Sequence, residues 1–242
     1  MKIALAQTWP LKGDLLTNIG AHVYYVHQAA ERRADIIFFS ELSLTGYEPK
    51  LAHVLATDQD NPHFDIFQEE ADRYNITICA GVPVKAAEGI WIGMVIFSPN
   101  SPRRTYGKKY IHPDEVPYFV PGPTITPLLV SKTRIAPAIC YELSCPEHIE
   151  HAVQQGADVY LASVAKTVEG NERAYTDLAR ISAEHEIPSL LVNCVGPAGG
   201  SMKVGGSAIW DASGKLVENM SDQDEGLLIY DMTDGTVEVV NL

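Results

Sequence analysis

The chain of 242 residues is short of positive charge: 18 lysines and arginines face 31 aspartates and glutamates, for a formal net charge of −13. A surface of that sign repels phosphate backbones and anionic bilayers, so neither nucleic acid nor a membrane is an expected partner. Long apolar runs are lacking too. No segment approaches the roughly 18 residues of a membrane helix, and the opening Ile3-Ala4-Leu5-Ala6 is too short for a secretory signal, which makes the cytoplasm the expected setting. Cysteine is sparse. Cys79, Cys140, Cys145 and Cys194 show neither C-x-x-C nor zinc-type Cys/His spacing, and fit free thiols in a reducing compartment. Repeats, linkers and low-complexity tracts are missing, so one domain over residues 1–242 is expected.

What is present is an ordinary globular balance, 46% hydrophobic and 20% charged, enough to bury a core without disulfides. Short β-branched or apolar runs at 2–7, 36–39, 76–83, 92–97, 135–139, 159–162 and 190–193 predict strands. Helical periodicity falls between them at 19–33, 64–74, 146–155 and 172–186. After residue 205 the pattern changes to strand, tight turn, strand, with a further strand at 226–230. Alternation followed by hairpins predicts an α/β protein with mixed sheets.

In such folds ligands collect beyond the C-terminal ends of strands, which gives weight to three segments. In F-F-S-E-L-S-L-T-G-Y, residues 38–47, an apolar strand runs out at Glu41, where a partly desolvated carboxylate would be a good proton acceptor. A loop-capping or ion-paired glutamate reads equally well there. In R-I-A-P-A-I-C-Y-E-L-S-C-P-E-H, residues 134–148, the strand ends at Cys140 and Pro146 and Glu147 open a helix. A thiol on that turn would be exposed near backbone N–H groups, as a nucleophile requires; alone, such a cysteine reads as a small buried hydrophobe. In Y-G-K-K-Y-I-H-P-D-E-V-P-Y-F-V-P-G, residues 106–122, adjacent Lys108 and Lys109 must point to opposite faces of a continuing strand, and Glu115 sits in a Pro-bounded loop within reach of a lysine. By itself this segment reads as a solvated charge cluster.

Together the segments resemble the nitrilase-like carbon-nitrogen hydrolase superfamily, which combines E-L-x-x-T-G-Y, a lysine segment leading to Y-F-x-P-G, and C-Y-E or C-Y-D. The similarity extends to the opening I-A-L-A-Q, to A-G-V-P at 80–83, to A-R-I-S-A-E at 179–184 and to G-G-S-A-I at 205–209. It implies a four-layer α-β-β-α sandwich with mixed sheets, and a homodimer or higher homo-oligomer with the helix bearing Arg180 and Glu184 at the subunit contact, although these two, four residues apart on one face, read equally well as a pair within their own helix. It also implies a catalytic set of Glu41, Lys108 and Cys140 with Glu115 as the second glutamate; Lys108 is preferred to Lys109 because it precedes Ile111 by three positions. Cys140-Tyr141-Glu142 is more similar to the amidase and carbamoylase branches than to nitrilases. The implied activity is therefore hydrolysis of a small-molecule amide through a thioester with no metal or organic cofactor, with hydrolysis of a carbamoyl substrate such as an N-carbamoyl amine, nitrile hydrolysis, acyl transfer and a catalytically idle interaction protein as alternatives. Tyr47, Tyr118, Tyr141, Glu142 and the loop 165–171 are the candidate substrate contacts. His185 after Glu184 and W-I-G-M around Gly93 depart from the family pattern, which commonly has asparagine at these places.

Overall fold

The computed structural model describes residues 1–123 and 126–242. In chain order the first half runs β1 (Lys2–Gln7), α1 (Leu15–Glu31), β2 (Ile36–Phe39), α2 (Ala52–Leu55), α3 (Asp65–Tyr74), β3 (Thr77–Ala86), β4 (Gly89–Phe97) and β5 (Arg104–Gly107). The second runs β6 (Leu128–Val130), β7 (Thr133–Ile139), α4 (Pro146–Gln154), β8 (Val159–Ser163), α5 (Val168–His185) and β9 (Ser189–Val192). It closes with β10 (Gly196–Ala198), β11 (Ser201–Lys203), β12 (Ala208–Trp210), β13 (Leu216–Asn219), β14 (Gly226–Asp231) and β15 (Thr236–Asn241).

Two mixed sheets form the centre. The first has seven strands in the order β15-β14-β1-β2-β3-β4-β5, the second six in the order β13-β12-β9-β8-β7-β6, and β10-β11 stand apart as a hairpin. The parallel pairs β1/β2, β2/β3, β7/β8 and β8/β9 are the ones separated by helices, as a crossover requires. Side-chain alternation sorts the layers. Ile3, Leu5, Ile36 and Phe38 enter a core shared with Ala138, Leu161 and Leu191 of the second sheet, which continues to Ile149 of α4 and Leu178 of α5. Ala4, Ala6, Ile37 and Phe39 face the other way, onto Ile19 and Val26 of α1 and Phe67 of α3. The result is the expected α-β-β-α sandwich.

Several boundaries differ from the sequence reading. Helix α5 begins at Val168 rather than 172, because Thr167 is extended and its carbonyl accepts from Asn171 N at 2.8 Å, so half of the expected 165–171 loop is helical. The strand expected from 205 begins at Ala208, since Gly206 takes a positive φ and Ser207 N donates to Gln7 Oε1 at 2.9 Å. Among the described residues no helix is long and apolar enough to cross a membrane.

Candidate active site

Glu41 follows the C-terminal end of β2 and is 2% exposed. Its loop folds back over β3: Ser43 N donates to Ser40 O at 3.1 Å, Leu44 N to Gly81 O at 2.9 Å, and Leu42 adopts a left-handed φ of 53°. A Cβ on Gly81 would lie 2.4 Å from Leu42 N and 2.7 Å from Ser40 O, so only glycine allows the loop to lie this close. Glu41 is thereby held at the mouth between the sheets.

Lys108 follows β5, fixed by its N–H to Ile92 O at 2.9 Å and by Gly122 N–H to its own carbonyl at 2.7 Å. β5 ends before both lysines rather than continuing through them, yet the two still separate: Lys108 is fully buried and Lys109 exposed. Lys108 Nζ donates to Glu41 Oε1 at 2.9 Å and to Glu115 Oε1 and Oε2 at 2.8 and 2.9 Å. Glu115, 1% exposed, also accepts from Tyr47 Oη at 2.9 Å and from His112 N at 2.8 Å, which fixes both of its oxygens. Burial disfavours the ammonium, but the negative charge that Glu41, Cys140 and Glu115 carry once ionised outweighs it and raises the Lys108 pKa.

Cys140 follows β7 on a left-handed turn with φ 48°, an uncommon conformation for a residue with a side chain. A 3-10 helix over Cys140–Ser144 follows and leads into α4 with Pro146 in its first turn. The thiol is half-buried rather than exposed, because the separate loops carrying Glu41 and Lys108 pack beside it. Burial and the Glu41 charge raise its pKa while Lys166 and Lys108 oppose that rise, so the resting group is a thiol. Glu41 is raised as well, by burial first, against the pull of Lys108. Its Oε2 is buried and accepts no hydrogen bond from the described residues, leaving a basic oxygen able to receive the thiol proton. Cys145, in contrast, is 7% exposed, lies off the cleft, and is pushed up to about 11 by burial.

The thiol opens into a cleft of about 780 Å³ lined by Tyr47, Glu115, Tyr141, Lys166 and Lys203 among others. Of the candidate substrate contacts, Tyr47 and Tyr141 line this cleft. Tyr118 instead lines an adjoining cavity of about 450 Å³ that shares Tyr47 and Lys203 with the first. Glu142 is not a cleft residue: the 3-10 turn rotates it inward, fully buried, and its carboxylate accepts from Ile139 N at 2.7 Å, Lys109 N at 2.6 Å and Tyr106 Oη at 2.5 Å. It ties the lysine loop to the cysteine turn. Sequence reasoning missed Lys203 and did not single out Lys166, although Lys166 lies just beyond the C-terminal end of β8, where the strand-end rule points.

Chemically, the site holds a thiol, a basic carboxylate with an open oxygen and a buried ammonium, each within reach of the next. That set can generate a sulfur nucleophile, shuttle a proton and stabilise a developing oxyanion. Among the described residues no group of three or more His, Cys, Asp or Glu side chains is arranged to hold a metal ion.

The carbon-nitrogen hydrolase family matches residues 2–241. An (R)-stereoselective amidase of Pseudomonas sp. is 25% identical over 240 residues, covering 93% of this chain and 85% of that protein. The glutamine-dependent NAD(+) synthetase of Thermotoga maritima is 22% identical over 96% of this chain, which spans only 42% of that longer relative. Among solved structures, the NitN amidase of Nesterenkonia sp. AN1 superposes with a TM-score of 0.86 at 23% identity, over 96% of this chain and 92% of that one. XC1258 from Xanthomonas campestris, a CN-hydrolase superfamily protein with an arsenic adduct in its active site, also gives 0.86, at 19% identity over 99% and 90% of the two chains.

Proposed function

This chain belongs to the carbon-nitrogen hydrolase family, and on that premise we propose that it hydrolyses a small-molecule linear amide with Cys140 as nucleophile. The observation that carries the reading is the buried Lys108 ammonium, bridging Glu41 and Glu115 at 2.8 to 2.9 Å beside a cysteine held at positive φ. An amide is a weak electrophile with a poor leaving group. Glu41 takes the Cys140 proton as sulfur attacks the carbonyl carbon. The oxyanion that forms is held by Lys108 and the N–H of Tyr141, displacing one of the two Glu115 oxygens from the ammonium. Glu41 returns its proton to the departing nitrogen, the C–N bond breaks, and ammonia or an amine leaves behind a thioester. Water, deprotonated by Glu41, then attacks the thioester; the thiol is re-formed and a carboxylic acid is released. Glu115 orients Lys108 throughout, and Tyr47 orients Glu115.

Similarity to an (R)-stereoselective amidase and to an amidase of known structure supports amide over nitrile chemistry, and a mutant of the latter in which acrylamide has added to the active-site cysteine supports a reactive thiol. A homodimer working in the cytoplasm remains part of the proposal. The test is ammonia release from a panel of small amides by purified protein. Wild type should turn over at least one, and Cys140→Ala should lose all turnover. Equal turnover by both proteins would remove Cys140 from the mechanism.

A further inference from the structure

The reacting groups leave unexplained two lysines on the cleft wall. Lys203 ends β11, 6% exposed, yet its Nζ donates only to Ser201 Oγ at 2.9 Å and lies 5.1 Å from the centroid of the Tyr47 ring. Among the described residues no carboxylate pairs with it, in a chain that carries 31 acidic residues. A buried ammonium without a counter-charge is costly, and a fold retains one most readily where an anion arrives. Lys166, half-buried beyond the end of β8, also has no ion-pair partner among the described residues.

The two are built into place together. Val204 N, next to Lys203, donates to Lys166 O at 3.1 Å. Asn193, fully buried, accepts from Lys166 N at 2.9 Å and donates to Gly205 O at 2.9 Å, joining the backbone that bears one lysine to the backbone that bears the other. The hairpin carrying Lys203 is pinned at its tip, where Gly199 N donates to Glu48 Oε1 at 3.1 Å, and Glu48 is itself occupied by Lys12 at 3.2 Å. The acidic residues of the cleft do not neutralise the pair. Glu115 is held by Lys108; Asp114 is exposed and 3.8 Å from His112; Glu169 is exposed and accepts from Thr167 Oγ1 at 3.0 Å. Arg173 adds a further positive charge at the rim.

We propose that Lys203 and Lys166 form a carboxylate-binding subsite, so that the amides hydrolysed here carry a carboxylate on the acyl side, as monoamides of dicarboxylic acids do. The inference rests on the amidase reading above for its chemistry, but the subsite itself is tested separately. A carboxylate seated on Lys203, over Tyr47, would anchor the acyl chain and present the far amide to Cys140. The contact exists before and during the reaction, so it acts on KM more than on kcat.

The experiment compares glutaramate with its neutral isostere pentanamide for wild type, Lys203→Met and Lys166→Met, together with calorimetric binding of glutarate, which needs no turnover. Wild type should favour glutaramate in kcat/KM by about 10-fold or more, the worth of one charge-assisted hydrogen bond. Lys203→Met should cut that preference by about 10- to 10²-fold, mainly through KM, and weaken glutarate binding in parallel. A wild-type preference for pentanamide, or an unchanged preference in both variants, overturns the proposal. Should Lys203→Met fail to fold, the same loss must appear in Lys166→Met. If wild type hydrolyses neither these two amides nor any other of the panel the amidase reading falls, while glutarate binding still decides the subsite: binding lost on substitution supports it, and no binding by wild type refutes it.

Discussion

Replacing Glu142 by alanine should damage stability and catalysis together, although the side chain reaches no substrate. The carboxylate is fully buried between two loops. One oxygen accepts from Lys109 N at 2.6 Å and Tyr110 N at 3.3 Å; the other accepts from Ile139 N at 2.7 Å and Tyr106 Oη at 2.5 Å. Lys109 follows Lys108 and Ile139 precedes Cys140, so one side chain sets the separation of the ammonium and the thiol. Alanine leaves these buried or part-buried donors without an acceptor. At about 1 to 3 kcal/mol for each unsatisfied buried group, partly relieved by relaxation and water entry, the loss should be on the order of 3 to 6 kcal/mol. Displacement of the two loops by even about 1 Å should lower kcat/KM by about 10²-fold. Glutamine keeps one accepting oxygen and should fall between wild type and alanine on both scales. Urea unfolding and amide turnover measure the two effects. A loss below about 1 kcal/mol with kcat/KM unchanged would refute the reasoning, since it would mean that the donors find other partners and the loops hold without the carboxylate.

The lysine pair gives a sharper contrast: Lys108→Ala should lower turnover by at least about 10²-fold, the scale for losing an oxyanion donor, whereas exposed Lys109→Ala should have little effect, and the reverse pattern would shift the catalytic register by one residue. Gly81→Ala should cost several kcal/mol on unfolding, or displace the Glu41 loop and reduce turnover, because its Cβ meets backbone at 2.4 Å; a neutral result would contradict the close packing. His148, buried and bonded to Tyr160 Oη at 2.9 Å, has its pKa lowered from 6.5 to about 4 by burial. The unfolded chain therefore takes up this proton first as pH falls, so the contribution is intact above about pH 6.5 and is lost between there and about 4, to the extent of about 3 kcal/mol. Unfolding titrations across that range should show a slope that His148→Gln reduces.

Much of this architecture was legible because strands rich in β-branched residues alternate with amphipathic helices, and because the groups that matter sit where strands end. Lys108 was distinguishable from Lys109 by family spacing alone, since alternation along a strand says only that one of two adjacent lysines turns inward, and the structure separates them as buried and exposed. Glu142 was misread because a residue two positions past a nucleophile candidate invites a substrate role, and the left-handed turn at Cys140 that sends it inward has no marker in a non-glycine sequence. Lys203 escaped notice since β10 and β11 are three residues each, too short for periodicity, although Gly199-Gly200 marked their turn. The pairing of β14 with β1 joins ends of the chain more than 200 residues apart, as at Lys2 and Asp231, a register set by tertiary packing rather than by local propensity.

The most direct measurement of the central claim is peptide mass spectrometry of wild-type enzyme quenched in acid during turnover of a small amide. The account predicts the mass of the substrate's acyl group on the peptide bearing Cys140, as a thioester, and its absence from Cys140→Ala. Steady turnover accompanied by an acyl group on Cys145, or undiminished turnover by Cys140→Ala, would contradict it.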